Sequence, residues 1–246
     1  MGLGDFFSKY KADREKKTLM KNIRRLIHQD LQHEDRLRAA EFLAEVGTEE
    51  ALYGLLRRYD MSLDKNYMDQ DEKTFVHDIV VSKGEAAIEP IERFLRASEN
   101  VSWPERILSS ILQDDDKVVE VLLEVIRVER EEGNDMRAGK RANLIDLFSR
   151  YKDPRIAAAI VPFLDDFDES VRITCINVLD TQGDETAAGP LLDLATSEEE
   201  DSFRVKSRVV DCFANHGWKV PTEYRDGVKP LLDPGTTMNG SGVISR

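Results

Sequence analysis

The sequence predicts an all-α chain in which helical hairpins stack in a row as an α-solenoid. In residues 152–192, Asp153-Pro154-Arg155 opens a short apolar helix, and Gly183-Asp184 marks the same point one hairpin later. Proline suits the first turn of a helix, where its missing N–H would have no intrahelical acceptor. Apolar residues at spacings of three and four give each predicted helix one buried face. Aromatic residues make up only 7% of the chain, which favours many small helix–helix contacts.

The turn positions recur along the chain. They fall at Gly47, Lys83, Gln113, Lys152 and Gly183, at intervals of 36, 30, 39 and 31 residues. The residue eight positions after each turn is apolar in every case: Leu55, Ile91, Val121, Ile160 and Leu191. A single hairpin cannot bury its apolar face alone, so repeats of this length gain a core by stacking on their neighbours.

The predicted elements follow these stripes in chain order. A helix over residues 18–31 precedes about six hairpins, which cover residues 34–56, 73–97, 101–130, 137–164, 168–192 and 202–232. Gly47 is predicted to end the first helix of its hairpin in the left-handed conformation. Pro90 lies in the first turn of a second helix and does not break it. Asp114-Asp115-Asp116 is predicted to cap the helix that follows, because carboxylates favour its positive end.

Two polar stretches are interpreted as connectors. Residues 60–72 are rich in carboxylates but lack the central glycine and terminal glutamate of a helix–loop–helix calcium site, so they are predicted to be solvated. Residues 129–135 are predicted to be a second, charged connector.

The two ends of the chain differ from the repeats. Residues 1–17 form a predicted basic amphipathic segment, with Leu3, Phe6, Phe7 and Tyr10 on one helical face and several lysines after them. This segment is interpreted as a cap on the first repeat, with a partner-binding arm or a membrane contact as alternatives. The solenoid is predicted to span residues 18–233. Residues 234–246 are rich in Gly, Ser, Thr and Asn, which predicts disorder.

The amino-acid composition argues against several classes of function. A net charge of −13 argues against an extended nucleic-acid interface, which requires a basic surface. Two cysteines in 246 residues indicate no disulfide framework, which favours a reducing compartment. The sequence has neither a long apolar run nor an apolar signal-peptide core. We therefore expect a soluble cytoplasmic protein.

The sequence offers no motif for catalysis or for a cofactor. It lacks a phosphate-binding loop, GxSxG and HExxH, and neither cysteine belongs to a CxxC pair. The four histidines are scattered, and His28 and His33 are five residues apart, which places them on different helix faces. We expect no catalytic residue, metal, cofactor or small-molecule ligand.

Six arginines suggest a partner-binding surface. They lie late in three successive predicted second helices: Arg57, Arg58, Arg93, Arg96, Arg127 and Arg130. If those helix ends align, they form a basic ridge for an acidic peptide or a phosphate group. The alternative is that they only complement the helix dipoles at the C-termini. Later units place acids instead, at Asp165, Asp166, Asp168 and residues 198–201, which would suit a protein partner of split charge.

The most distinctive repeat motifs lie in residues 35–47 and 168–192 and in Asp153-Pro154-Arg155. They resemble the HEAT-repeat family, especially its short bacterial branch related to phycobilin-lyase repeats. The Trp/Leu/Gly/Tyr signature of tetratricopeptide repeats is missing. The resemblance implies a right-handed superhelix that binds partners along a concave surface lined by second helices. We therefore expect a non-catalytic adaptor or scaffold for a protein partner. The alternatives are a bilin-lyase-like enzyme and a scaffold recruited to a membrane by the N-terminal segment.

Overall fold

The structure, a computed structural model, describes the backbone of residues 3–132 and 137–246, and the side chains of residues 10–131 and 137–246. Over these ranges the chain forms thirteen α-helices, joined by turns and short 3-10 segments, and one pair of two-residue strands. The predicted all-α class is confirmed at this level. The chain divides into two compact units after Val118.

The first unit holds six complete helices and the start of a seventh. They are α1 (Leu3–Leu26), α2 (His33–Val46), α3 (Glu49–Leu56), α4 (Asn66–Val81), α5 (Ile88–Ala97) and α6 (Ser102–Leu112), with α7 running over Asp115–Glu132 into the second unit. Helix α2 packs on α1, α3 and α4, while α4 also packs on α6, and α5 packs on α3 and α6. Alternate helices therefore pack in series around a core of fully buried side chains that includes Leu43, Leu55 and Phe94.

The second unit repeats this relation among its own helices. They are α8 (Ala138–Leu147), α9 (Pro154–Ile160), α10 (Glu169–Gln182), α11 (Ala188–Thr196), α12 (Phe203–His216) and α13 (Arg225–Val228). Helix α10 packs on both α8 and α12. Helix α11 packs on the 3-10 segment Val161–Asp165, on α12 and on α13. The core of the second unit includes the fully buried side chains of Ile160, Cys175 and Phe213.

The predicted helix ends are confirmed at several positions. Gly47 and Gly183 adopt left-handed conformations, with φ of 60° and 66°, and their amides donate to the carbonyls of Leu43 and Leu179. Asp153 accepts a hydrogen bond from the Arg155 amide and thereby caps α9, with Pro154 in the first turn. Asp114 Oδ1 accepts from the Asp116 amide at 3.1 Å, as expected for a cap on α7.

The structure differs from the predicted boundaries at several places, and the helix predicted over residues 18–31 ends already at Leu26. Helix α1 runs without interruption from Leu3 to Leu26, so no break occurs near residue 17. The predicted connector 60–72 ends early, because α4 already begins at Asn66. The predicted connector 129–135 likewise begins late, because α7 extends to Glu132. Within these two segments, Asp69, Glu72 and Glu129 make buried ion pairs.

The predicted disorder of residues 234–246 is corrected by the structure. Strands β1 (Thr237–Met238) and β2 (Ile244–Ser245) pair antiparallel, and Val220 N donates to Gly242 O at 2.8 Å. Ile244 is buried, and β2 packs on α12. The polar composition suggested disorder, but one apolar anchor and these main-chain hydrogen bonds hold the tail in place.

Among the described residues, no helix combines the length and the apolar character needed to cross a membrane.

Candidate partner-binding site

Arg58 is the one predicted ridge arginine that is fully buried among the described residues. Its guanidinium donates to Asp69 Oδ1 at 2.8 Å, to Glu72 Oε2 at 2.9 Å and to the Met61 carbonyl at 2.9 Å. All of these partners lie within the first unit. Arg58 therefore stabilises the interior and is not part of an exposed basic surface.

Glu72 is the centre of this buried cluster. Besides Arg58, it accepts hydrogen bonds from Arg36, at 2.7 Å to Oε1, and contacts His33 Nδ1 at 2.8 Å. Burial alone would raise the pKa of the Glu72 carboxyl, but the hydrogen bonds from Arg36, His33 and Arg58 outweigh it and lower the pKa. The cluster is ionised and fully hydrogen-bonded, which indicates a structural role.

The remaining ridge arginines of the first unit are partly exposed, and nearby carboxylates offset their charges. Arg93 donates to Glu50 at 2.9 Å and stacks over the Tyr53 ring, with 4.1 Å from Cζ to the ring centroid. Arg57 lies 3.4 Å from Asp60, and Arg96 lies 3.6 Å from Glu92. These pairs leave little unbalanced positive charge for an acidic ligand.

In the second unit, Arg127 and Arg130 are exposed on α7. Arg127 donates from Nη2 to Glu124 Oε1 at 2.7 Å and from Nη1 to Glu131. The pKa of Arg127 is raised above its ordinary value. The main cause is the hydrogen bond from the guanidinium to Glu124, followed by the hydrogen bond to Glu131. The acids on its own helix thus offset the charge of Arg127.

The predicted N-terminal docking residues fall mostly outside the described side chains. This applies to Leu3, Phe6 and Phe7, whereas Tyr10 is described and is 65% exposed. Beyond Tyr10, the exposed face of α1 carries a basic stripe formed by Lys17, Lys21 and Arg24. No ion pair involves these three residues among the side chains that the structure describes.

A cleft in the second unit brings together most of the predicted acidic residues, namely Asp165, Asp166 and residues 199–201, but not Asp168 or Glu198. It has a volume of about 740 Å³ and lies between the 3-10 segment Val161–Asp165 and helix α11 with the loop that follows it. Its lining includes the exposed carboxylates of Asp165, Asp193, Glu199 and Asp201. We call this feature the acidic cleft.

Phe167 stands at the acidic cleft with 89% of its surface exposed. Its loop is nevertheless held firmly. Arg172 Nη1 donates to the carbonyls of Asp166 and Phe167 at 2.9 and 3.0 Å, and Asp168 N donates to Asp166 Oδ1 at 2.9 Å. Exposing a large apolar ring to water on a fixed loop is unfavourable for the isolated chain.

Arg172 also joins the two walls of the acidic cleft. Its Nε donates to Glu200 Oε2 at 2.7 Å and its Nη2 to Glu200 Oε1 at 3.1 Å, in a bidentate pair with the loop after α11. Across the loop before α10, Arg141 Nε donates to Asp166 Oδ2 at 2.8 Å. Buried Arg141 and partly buried Arg172 therefore fix the shape of the acidic cleft, while other carboxylates at its surface remain exposed.

A second group of chemically versatile side chains was missed by the sequence reasoning. Asp180 on α10 and Cys212 and His216 on α12 place one ligand atom each within 4.8 Å of one another. Burial, followed by the charge of Asp180, raises the pKa of the Cys212 thiol to about 12. The spacing of Cys212 and His216, four residues apart, was the available signal, but the sequence predicts a turn at His216, whereas α12 extends to that residue. Asp180 could not be added without knowing which helices pack together.

No protein-family model matches this sequence, and no curated protein matches it either.

Proposed function

We propose that this chain is a non-catalytic protein-binding adaptor built from stacked HEAT-like hairpins as a right-handed solenoid. Within each unit, alternate helices pack in series, α2 with α4 and α6, and α8 with α10 and α12. This is the neighbour-to-neighbour packing that helical repeats use. The second helices of such hairpins provide the concave surface for a partner, and the Val161–Asp165 segment and α11 are second-helix positions of successive hairpins.

The acidic cleft with Phe167 at its edge is the single observation that supports this function best. Exposed carboxylates attract a cationic segment and orient it as it approaches. Phe167 offers a fixed apolar anchor that loses little conformational entropy when it is covered. The ligand that fits both properties is a protein segment carrying Lys or Arg next to an apolar side chain.

The same chemistry disfavours the bilin-lyase-like alternative for this site. A bilin carries two propionate groups, which the carboxylates of Asp165, Asp193 and Asp201 would repel. A tetrapyrrole site would instead need apolar walls and cations for the propionates.

Site-specific photo-cross-linking tests the proposal. A photoreactive phenylalanine analogue at position 167, in the full chain expressed in its native cells, should cross-link a protein through a Lys- or Arg-containing segment. The matched control position is Tyr67, an aromatic residue of the first unit that is 66% exposed. The cross-link at position 167 should disappear in the D165K/D201K background. A cross-link that persists in that background, or one obtained equally at position 67, would contradict the acidic cleft as the binding site.

The basic stripe of α1 supports a second candidate function, recruitment to an anionic membrane surface. Lys17, Lys21 and Arg24 are exposed and follow exposed Tyr10 on the same helix. A helix that combines aromatic side chains with a basic face binds at the interface of anionic bilayers. In that case the adaptor would hold its partner at the membrane.

A further inference from the structure

The group formed by Asp180, Cys212 and His216 lies within the second unit and shares no residue with the acidic cleft. It combines a thiol, an imidazole and a carboxylate. These are the three kinds of side chain that bind zinc in proteins, and a thiol within the set disfavours calcium and magnesium, which prefer oxygen ligands.

The backbone geometry explains why the three side chains converge. Cys212 and His216 are four residues apart on α12, so they point from one face of the helix, one turn from each other. Helix α10 packs on α12. Asp180 lies in the last turn of α10, opposite the face of α12 that carries Cys212 and His216. Asp180 Oδ1 lies 2.9 Å from His216 Nε2. Tetrahedral N and O ligands about 2.0–2.2 Å from zinc lie about 3.3–3.5 Å apart, so these two atoms need to separate only slightly to bind the ion.

Neighbouring groups fix the orientation of these side chains. Arg208 Nη2 donates to Asp180 Oδ2 at 2.7 Å, which leaves Oδ1 turned toward the histidine. The His216 ring stacks on Trp218 with a centroid distance of 4.7 Å and an interplanar angle of 23°. Gly183 lies close to the His216 ring, because a Cβ at position 183 would be 3.0 Å from His216 Cε1. Such outer contacts orient the ligands of metal sites.

We propose that Asp180, Cys212 and His216 form a zinc-binding site. Cys212 Sγ, His216 Nε2 and Asp180 Oδ1 supply three ligands, and a water molecule supplies the fourth. His216 retains 27% side-chain exposure, which gives the ion and the water a route from solvent. On binding, the thiol loses its proton to solvent, and the imidazole proton moves to Nδ1 so that Nε2 can coordinate.

The ion must replace existing hydrogen bonds. Without it, the His216 Nε2 proton is shared between the carbonyl and the carboxylate of Asp180, at 2.8 and 2.9 Å. Arg208 does not have to leave, because it contacts the other carboxylate oxygen and also donates to Asn177 Oδ1 at 2.6 Å. The two anionic ligands and the Arg208 cation give the site a net charge of −1, which favours a divalent cation.

Titration with Co²⁺ in place of zinc tests the site through its spectrum. The full chain, stripped of metal with a chelator and kept reduced, should bind one Co²⁺ and develop a thiolate-to-cobalt charge-transfer band together with intense visible bands. One equivalent of Zn²⁺ should abolish both. Zn²⁺ should also raise the melting temperature, because it binds the folded state.

Variants assign the ligands. Cys212→Ser should remove the charge-transfer band, and Cys175→Ser is the matched control, since Cys175 is the other buried thiol. His216→Gln and Asp180→Asn should each weaken binding about tenfold or more, whereas His28→Gln should not. His216 is partly exposed, so its variant tests the site even if Cys212→Ser fails to fold.

Three results would overturn the zinc site. The first is the lack of a charge-transfer band. The second is a band that survives in the Cys212→Ser variant. The third is weak uptake of several ions that the His216→Gln and Asp180→Asn variants leave unchanged, which would indicate nonspecific binding by surface carboxylates.

Discussion

Arg58 Nε donates to Glu72 Oε2 at 2.9 Å, and both side chains are removed from solvent inside the first unit. The pair joins the end of the first hairpin, where Arg58 follows α3, to helix α4 of the next. Because Arg36 on α2 also donates to Glu72, three successive parts of the unit meet at one carboxylate. The relative placement of these hairpins therefore depends on a specific charge arrangement as well as on apolar packing.

The Glu72→Gln substitution should strongly destabilise the protein. It leaves Arg36 and Arg58 buried without their shared counter-charge, which costs about 3–5 kcal/mol when one partner of a buried ion pair is removed. Chemical denaturation followed by circular dichroism measures the loss. Glu41→Gln on the exposed face of α2 is the matched control and should change the unfolding free energy by less than about 0.5 kcal/mol. Equal effects of the two variants would show that the cluster does not stabilise the fold.

Acid should destabilise the protein through the same cluster. For Glu72 and Asp69, burial acts to raise the pKa, but hydrogen bonds from the neighbouring cations lower it overall. Their folded-state pKa values lie below the unfolded values of about 4.3 and 3.9, so their stabilising effect is complete above those values. It is lost as the pH falls through the folded values. Denaturation at neutral pH and at about pH 3 should show a smaller acid loss in Glu72→Gln than in the parent chain. An identical loss would contradict this linkage.

Gly183→Ala should destabilise the second unit more than Gly217→Ala. Both glycines have left-handed φ angles, 66° and 62°, so an alanine at either position costs about 1–2 kcal/mol. At Gly183 the new methyl group would also lie 3.0 Å from His216 Cε1, whereas nothing lies within 4 Å at Gly217. Thermal unfolding of the two variants separates backbone strain from the steric contact. Equal losses in the two variants would contradict this prediction and show that the His216 ring yields easily.

Phe167→Ala should weaken partner binding without weakening the fold. The ring is 89% exposed, so its removal should change the unfolding free energy by less than about 0.5 kcal/mol. A synthetic peptide of the segment cross-linked at position 167 should bind the variant about 30-fold more weakly, which corresponds to about 2 kcal/mol for an aromatic anchor. Tyr67→Ala is the control with a comparably exposed aromatic ring. Unchanged affinity in the Phe167→Ala variant would exclude the ring as an anchor.

Charge reversal on α1 should reduce binding to anionic vesicles. The K17E/K21E/R24E variant replaces the basic stripe with acids and should lose sedimentation with phosphatidylserine-containing vesicles at low salt. The K65E/K117E/R204E variant has the same net charge but reverses exposed cations elsewhere, so it should retain binding. If both variants lose binding equally, net charge alone controls the association and α1 has no specific role.

The sequence predicted the helices more accurately than their connectors. The spacing of apolar residues and helix caps such as Gly47 and Asp153 involve residues only a few positions apart. Helices can therefore be recognised from the sequence alone. The sequence places Asp69 and Glu72 in a predicted solvated connector, because that segment lacks the central glycine and terminal glutamate of a calcium loop. Their burial depends on Arg36 and Arg58, which local spacing could not bring to the same point.

The candidate sites could likewise be predicted only in part from the sequence. Most acids of the acidic cleft belong to the predicted group, although Asp193 does not. The position of Phe167 depends on Arg172, which donates to its carbonyl and is paired with Glu200, 28 residues further along the chain. Likewise, Cys212 and His216 share a helix face only because α12 extends to His216, where the sequence predicts a turn, and the participation of Asp180 follows from the packing of α10 on α12. Contacts between residues about thirty positions apart require the fold itself.

The chain has two tryptophans, and they lie in different units. Trp103 stacks on Tyr59 in the first unit, and Trp218 stacks on His216 in the second. Replacing one of them with phenylalanine would make the intrinsic fluorescence of the chain a reporter of a single unit. Fluorescence of the two single-tryptophan proteins can therefore show whether the units unfold together or one after the other.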